Sequence, residues 1–286
     1  MVRQEYIIDA RHEGMRVKDY IRRVLGISSR ALIGLKKAEA GITINGSHAR
    51  VVDILKPGDV LGISLLRGAA RYEEINLPLD IVYEDSSFIV VDKPYGMTVY
   101  PCGSNRVSLL NGMAFYFGKK GEPCVFRPFY RLDKDTSGLV VIGKSNVFMA
   151  GTQVEKEYFA VCRGVVPEEG TIDAPIGRVS EIGVARAAGF GQEALTRFKR
   201  VGTDGEHSLV KLKLDTGRTH QIRVHMASIG FPLCGDSLYG GNLSRIKRQA
   251  LHCKSCVLKN PAIEMDMKLE TPFPDDMRKA FPGLNL

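Results

Sequence analysis

The sequence lacks any uninterrupted apolar run near the roughly 18 to 20 residues of a membrane-spanning helix, so no segment is a candidate for one. Cysteine is sparse: six residues scattered over 286 are too few and too dispersed for a disulfide scaffold. The first residues, Met1-Val2-Arg3-Gln4-Glu5-Tyr6, carry charge at once and lack the apolar core of a secretory signal. A soluble cytoplasmic protein with reduced thiols is the expectation. There is no phosphate-binding P-loop, no dinucleotide-binding glycine fingerprint, no internal repeat and no low-complexity tract. What is present is ordinary: 44% hydrophobic and 25% charged residues describe a folded globular chain. At about 150 residues per domain, the length predicts two domains.

Charge is distributed unevenly. Residues 1–71 hold 13 Lys and Arg against 7 Asp and Glu, whereas residues 72–286 hold 27 against 25. Most of the net charge of +8 therefore lies in the first quarter of the chain. A small basic module ahead of a nearly neutral body reads as a tether to a polyanion, since phosphate neutralisation is the generic source of nucleic-acid affinity. Charge alone fits an acidic membrane surface equally well, or a solvated surface with surplus lysine.

The first segment has the pattern of a compact α/β module. Val17, Tyr20, Ile21, Val24 and Leu25 recur at helical spacing; Gly26 stops that helix, and Ser28 or Ser29 can cap a second one carrying Ala31, Leu32 and Leu35. Residues 41–46 form a short strand running into an Asn-Gly turn, and Lys56-Pro57-Gly58-Asp59 turns into a last strand over 60–65. This order resembles the S-four-like RNA-binding domain, named for a ribosomal protein. The resemblance implies that Arg16, Arg30, Lys36 and Lys37 face RNA. Residues 66–74 have no periodicity and read as a linker. The remainder is strand-rich, with apolar runs at 81–83, 88–91, 139–142, 158–161 and 209–214, and one clear helix at 108–117. The expected fold class is α+β: a basic domain over 1–71, then a mixed, mostly antiparallel sheet domain over 72–286.

Two segments concentrate chemistry. In Tyr130-Arg131-Leu132-Asp133-Lys134-Asp135-Thr136-Ser137-Gly138, carboxylates, cations and hydroxyls crowd a turn that feeds an apolar strand. Loops held by rigid strands commonly carry catalytic groups, but a solvated turn has the same composition. Composition alone does not choose between Asp133 and Asp135. The second segment is Thr216-Gly217-Arg218-Thr219-His220-Gln221-Ile222-Arg223-Val224-His225. Its two histidines are five apart, which on a strand sends them to opposite faces, and the helical His-Glu-x-x-His zinc arrangement is absent. Cys253 and Cys256 form a lone Cys-x-x-Cys; strand alternation sends them apart too, and four ligands are needed for a structural zinc. No metal site is expected.

Together these segments resemble the RluA/RluD-type RNA pseudouridine synthases. Arg131-Leu132-Asp133 with Thr136-Ser137-Gly138 is similar to the first signature of that family, and residues 217–225 to the second. Asp92-Lys93-Pro94, Lys156-Glu157-Tyr158 and Gly235-Asp236-x-Leu238-Tyr239-Gly240 follow in the family's order. The resemblance implies an isomerase that needs no cofactor: a uridine in RNA loses its bond from ribose to nitrogen 1 and is rejoined through carbon 5. It identifies Asp133 as the essential carboxylate, Arg223 as the basic residue paired with it that keeps it charged and oriented, and Tyr158 as the active-site tyrosine. Arg131, Arg218 and His220 then contact RNA around the extracted nucleotide. Tyr130 and Tyr100 stand where histidine is more usual, which bears on the RNA shape accepted. Large-subunit ribosomal RNA is the favoured substrate and transfer RNA the rival, with a single copy of the chain and no obligate protein partner expected. A non-catalytic RNA-binding or ribosome-assembly factor, and a hydrolase releasing uracil, are the alternatives.

Overall fold

The computed structural model describes residues 2–38, 40–65, 72–102, 106–121, 126–144, 149–261 and 264–286. The linker expected at 66–74 lies largely outside these, since residues 66–71 are not among them.

The N-terminal residues form a four-stranded antiparallel sheet, β1 (Val2–Ile7), β2 (Ile42–Ile44), β3 (Ser47–His48) and β4 (Val60–Leu65), in the order β1-β4-β2-β3. Two helices cover it: α1 (Val17–Asp19), which runs into a π-helical turn over Tyr20–Val24, and α2 (Ser29–Lys37). The Ser28 hydroxyl caps α2 by accepting from the Ala31 amide at 3.2 Å. Asn45 and Gly46 both have positive φ, 51° and 84°, the pairing that a tight hairpin turn requires. Asn45 also accepts from the Val60 amide at 2.8 Å, which ties this turn to β4. Val17, Tyr20, Ile21, Leu25, Leu32, Leu35, Leu61 and Ile63 close a separate apolar core. β1 carries no clear apolar alternation because Arg3, Gln4 and Glu5 occupy its middle.

The body is built on a ten-stranded sheet. Its strands are β5 (Asp80–Glu84), β6 (Phe88–Lys93), β7 (Arg127–Pro128), β8 (Ser137–Gly143), β9 (Gln153–Arg163), β10 (Glu169–Asp173), β13 (Leu195–Thr203), β14 (His207–Leu214), β15 (Leu251–Asn260) and β16 (Met265–Glu270). A two-stranded hairpin, β11 (Ile176–Arg178) and β12 (Arg186–Ala188), stands apart from it. The main path is β10-β13-β14-β9-β15-β8-β6-β5, with β16 on β15 and β7 on β8. Every pair is antiparallel except β8 with β15. The central strands are apolar on both faces. Ile89 and Val91 of β6 join Val140 and Ile142 of β8 in one core, and Phe88 and Val90 join Leu139 and Val141 in another. Near-continuous apolar runs are the signature of strands covered on both sides. Helices α3 (Leu109–Lys119), α4 (Gln221–Ser228) and α5 (Asp275–Ala280) pack around this sheet.

Two expectations are corrected. The segment carrying His220 and His225 is not a strand: it turns at 219–220 and enters α4. Six successive residues of that helix, 221–226, are buried, so it shows no amphipathic stripe that would mark it as helical. Nor do Cys253 and Cys256 point to opposite faces. A β-bulge between Cys253 and Ser255 pairs Cys253 with Tyr158 and Cys256 with Lys156, and so resets the alternation. Both sulfurs then flank Tyr130 on one face. Among the described residues no group of three or more His, Cys, Asp or Glu could hold a metal ion.

The parallel β8·β15 seam has one narrow point. Gly138 has φ +113°, and a Cβ there would lie 2.3 Å from the Cys253 carbonyl oxygen and 2.6 Å from its nitrogen. Gly138→Ala meets both backbone strain and overpacking, together about 3 kcal/mol. The expected fall in melting temperature is about 6 to 12 °C for a chain of this size. Calorimetry checks this; a change of under about 2 °C would mean that the seam opens freely.

Candidate active site

Residues 131–136 arrive at β8 without strand pairing of their own, and buried cations hold them in place. Lys93 is fully buried at the end of β6, and its ammonium donates to the carbonyls of Pro94 (2.8 Å), Met97 (2.8 Å) and Lys134 (3.1 Å). Burial pulls its pKa down to about 7, while the carboxylates of Asp135, Asp133 and Asp92 favour the charge. Three carbonyl acceptors need three N–H donors, which only the ammonium supplies. Arg248 is gripped by Asp276 at the start of α5, at 2.7 and 2.9 Å, and donates to the Asp135 carbonyl at 3.2 Å. The loop closes on itself through the Thr136 amide and the Asp133 carbonyl, 3.1 Å apart.

The two aspartates of this clamped loop are placed differently. Asp133 lines a cavity of about 360 Å3; Asp135 is not among its walls. Across that cavity, α4 presents Arg223, of which only 8% is exposed. Its Nε and Nη2 make a bidentate pair with the buried carboxylate of Asp236, at 2.7 and 2.8 Å, and its Nη1 reaches Asp133 Oδ2 at 3.4 Å. Burial opposes the guanidinium charge, but the carboxylates of Asp236 and Asp133 outweigh it and push the pKa above arginine's ordinary value. The Tyr239 ring lies under the guanidinium, 5.0 Å away.

His220 sits beside this pair at the start of α4 in the left-handed conformation, φ 60° and ψ 18°, which a histidine adopts only under restraint. Its Nδ1 lies 2.8 Å from the Tyr239 hydroxyl, which already accepts the Arg186 amide at 3.0 Å. The tyrosine proton is thus free to go to Nδ1, and the network assigns the N–H of neutral His220 to Nε2. That nitrogen is 3.9 Å from Asp133 Oδ2. Burial, chiefly, together with Arg223 and Arg186, lowers the His220 pKa against the pull of Asp133 and Asp236, so the imidazole is neutral at pH 7.

Tyr158 contributes a buried wall of the cavity from β9. Burial raises its phenol pKa well above the usual value, and its hydroxyl contacts the Cys253 thiol, so it stays protonated. Tyr130 is also held inward: its hydroxyl donates to the Leu139 carbonyl at 2.8 Å, and Lys156 lies 4.6 Å over its ring. Its polar tip is therefore spent in the sheet, leaving only ring edge for the cavity. Tyr100, 37% exposed, is not among the cavity walls.

Of the residues named from the sequence, Asp133, Tyr158, Arg223, Arg131, Arg218 and His220 surround this one cavity. Arg131 spans it by a hydrogen bond to the Thr219 hydroxyl, which joins the two signature segments. Arg16, Lys36 and Lys37 are exposed on the N-terminal module and do not line it; the Arg30 side chain lies outside the described residues. His220 proves to be a neighbour of Asp133, a role the sequence did not give it. Lys93, Asp236 and Tyr239 stood in family-like segments without a role of their own, and Arg248 was not named. The available signal was a charged residue inside or beside an apolar strand, as for Lys93, and an acid between glycine and a turn, as for Asp236.

A family model described as RNA pseudouridylate synthase matches residues 87–228. A Bacillus subtilis protein named as an uncharacterized RNA pseudouridine synthase, YjbO, is 37% identical over 95% of this chain and 100% of its own length. The ribosomal large subunit pseudouridine synthase D of Pseudomonas aeruginosa is 36% identical over 82% of this chain and 81% of its own. Among solved structures, human RNA pseudouridylate synthase domain containing 1 superposes with a TM-score of 0.58 and 27% identity, covering 71% of this chain and 87% of that one.

Asp236→Asn removes the charge that fixes Arg223, leaving a buried guanidinium with one partner. The expected cost is about 3 kcal/mol of stability and about a hundredfold in turnover, because the arginine is no longer aimed at Asp133. Urea unfolding and steady-state assays check both; full turnover would mean that Asp236 is merely structural. The histidine assignment is read by long-range 1H–15N NMR. The wild type should show His220 protonated on Nε2 alone and Tyr239→Phe a mixture of tautomers, whereas a proton on Nδ1 in the wild type would refute the assignment.

Proposed function

The chain belongs to the RNA pseudouridylate synthase family, and from that premise we propose that it isomerises uridines of large-subunit ribosomal RNA with Asp133 as its essential carboxylate. It is an isomerase that converts uridine to pseudouridine in RNA. The choice of ribosomal RNA is supported by relatives named ribosomal large subunit pseudouridine synthase D, from Pseudomonas aeruginosa, Vibrio cholerae and other bacteria. The observation that carries the assignment of Asp133 is its position in the cavity opposite a guanidinium locked by a second carboxylate.

The chemistry asks little of the protein beyond placement and charge. The bond from ribose C1′ to uracil N1 breaks, the base turns within the cavity, C1′ bonds to C5, and the C5 proton leaves while N1 gains one. A carboxylate set opposite the Arg223 guanidinium suits attack on an electrophilic centre or removal of a proton. The protonated Tyr158 offers an aromatic wall on which uracil can stack. Reaching a paired uridine costs a few kcal/mol of unstacking, and Arg131, exposed at the rim and tied to Thr219, is placed to offset part of it by stacking or phosphate contact. The N-terminal module, with Arg16, Lys36 and Lys37 exposed, acts in this reading as an S-four-like tether that adds phosphate contacts away from the cleft.

The test is tritium release from RNA labelled at C5 of uridine, with large-subunit rRNA and bulk tRNA as separate substrates. Wild type should release tritium from rRNA, while Asp133→Asn should lose turnover by at least about a thousandfold and keep RNA affinity within about twofold. Release from tRNA alone would replace the substrate class. Parallel loss of turnover and affinity in Asp133→Asn would remove the catalytic role.

A further inference from the structure

A second cavity, of about 450 Å3, lies beside the first and shares with it the wall formed by Gly217, Arg218 and Thr219. We propose that it is a phosphodiester-binding subsite, in which Arg178, Arg186 and Arg218 seat the RNA backbone next to the extracted nucleotide. The proposal rests on the reading of the chain as an RNA-modifying enzyme and adds where the neighbouring phosphate goes.

Many arginines of the body are held by acids. Arg197, Arg223, Arg245, Arg248 and Arg278 each have a carboxylate within ion-pair distance. Among the described residues Arg178, Arg186 and Arg218 have none, although they ring one cavity. Each is instead anchored by backbone carbonyls. Arg178 Nη1 donates to Glu181 at 3.3 Å, Arg186 Nη1 to Val184 and Ala185 at 2.8 and 3.1 Å, and Arg218 Nε to Glu193 at 3.0 Å. A carbonyl fixes the direction of a guanidinium without neutralising it, so each keeps other N–H groups for an anion. Three like charges gathered around one cavity repel, and an anionic occupant relieves that repulsion.

The cavity is also rigid and open where the backbone must approach. Ile176, Ala194 and Val224 pack together with Ala188 and Tyr239, which fastens the β11–β12 hairpin to α4. The Arg186 amide is held by the Tyr239 hydroxyl, the same group that sets His220. A Cβ on Gly217 would meet nothing within 4 Å, so that segment presents bare backbone at the junction of the two cavities. A nucleotide drawn into the first cavity carries a phosphate on each side, and this shared wall offers one of them a way out. A phosphate accepts paired N–H bonds from guanidinium groups, which surface lysines scattered elsewhere do not reproduce.

The experiment measures RNA affinity against salt for the full chain and its Arg178→Gln, Arg186→Gln and Arg218→Gln variants, by fluorescence anisotropy on a large-subunit rRNA transcript. Each variant should lower the slope of log affinity against log salt by about 0.7 to 0.9, the value of one phosphate contact. The Arg178→Gln and Arg186→Gln variants should raise KM several-fold and leave kcat within about twofold, and Arg186→Lys should restore the slope but not all of the KM. Unchanged slopes in all three would overturn the subsite, as would a fall in kcat with KM unchanged in Arg178→Gln and Arg186→Gln, which marks a transition-state interaction or lost active enzyme and not seating of the backbone. Because the binding arm needs no turnover, a wild type that binds RNA but releases no tritium would count against the enzymatic reading and leave the subsite standing or falling on its slopes.

Discussion

The guanidinium of Arg223, shared between Asp133 and Asp236, is the contact on which the rest of the site depends. Those three residues come from a loop before β8, from helix α4 and from the turn after it. A buried cation must find compensating charge or be expelled. The strong bidentate pair with Asp236 meets that requirement, so the contact with Asp133 can stay looser, at 3.4 Å. The division matters: were Asp133 the sole partner, moving it or changing its charge during reaction would strand the arginine. Asp236 makes Arg223 a fixed feature of the wall, and Tyr239 below it adds a flat surface that resists tilting.

Around this triad the chain accepts local costs that only a site would impose. His220 holds a left-handed backbone, at a cost of about 1 to 3 kcal/mol, and thereby turns its ring toward Asp133. The Asp133 loop is not paired as a strand; two cations reach its carbonyls from below, Lys93 at residue 134 and Arg248 at residue 135. Carbonyl-directed cations fix the path of a backbone without competing for its carboxylates. Arg248 also carries the position of α5 to the loop through Asp276. The C-terminal helix is thus part of the support of the site, although it lies more than a hundred residues along the chain from Asp133.

What could be read from the sequence follows from which interactions are local. The N-terminal helices and hairpin were legible because a serine cap, an Asn-Gly turn and a helical apolar stripe are decided within a few residues. The runs of β6 and β8 were legible because strands buried on both faces are apolar throughout. Helix α4 was misread because a helix buried on nearly all sides has no stripe, and the alternating look of Ile222 and Val224 imitates a strand. The cysteine pair was misplaced because one bulge residue, set by pairing with a distant strand, inverts every later side chain. At the site, Asp133, Arg223 and Tyr158 came from the family resemblance; Lys93, Asp236 and Tyr239 stood in its motifs, but their supporting roles, like that of Arg248, depend on contacts between distant segments.

The placement of charge gives the arrangement its logic. Five arginines of the body are neutralised by acids, and four of those pairs join separate segments. Arg178, Arg186 and Arg218 are aimed by carbonyls and left uncompensated around the cleft. A folded protein gains nothing for its own stability from gathering unpaired cations, since they repel one another and carbonyl bonds offset only part of that. Their orientation is therefore a cost borne before the polyanion arrives, and it falls due where a phosphate must pass. The basic N-terminal module adds charge without such aim, on exposed lysines free to follow any backbone. Affinity can come from a loose basic surface, but setting one nucleotide against Asp133 requires cations whose directions are already fixed.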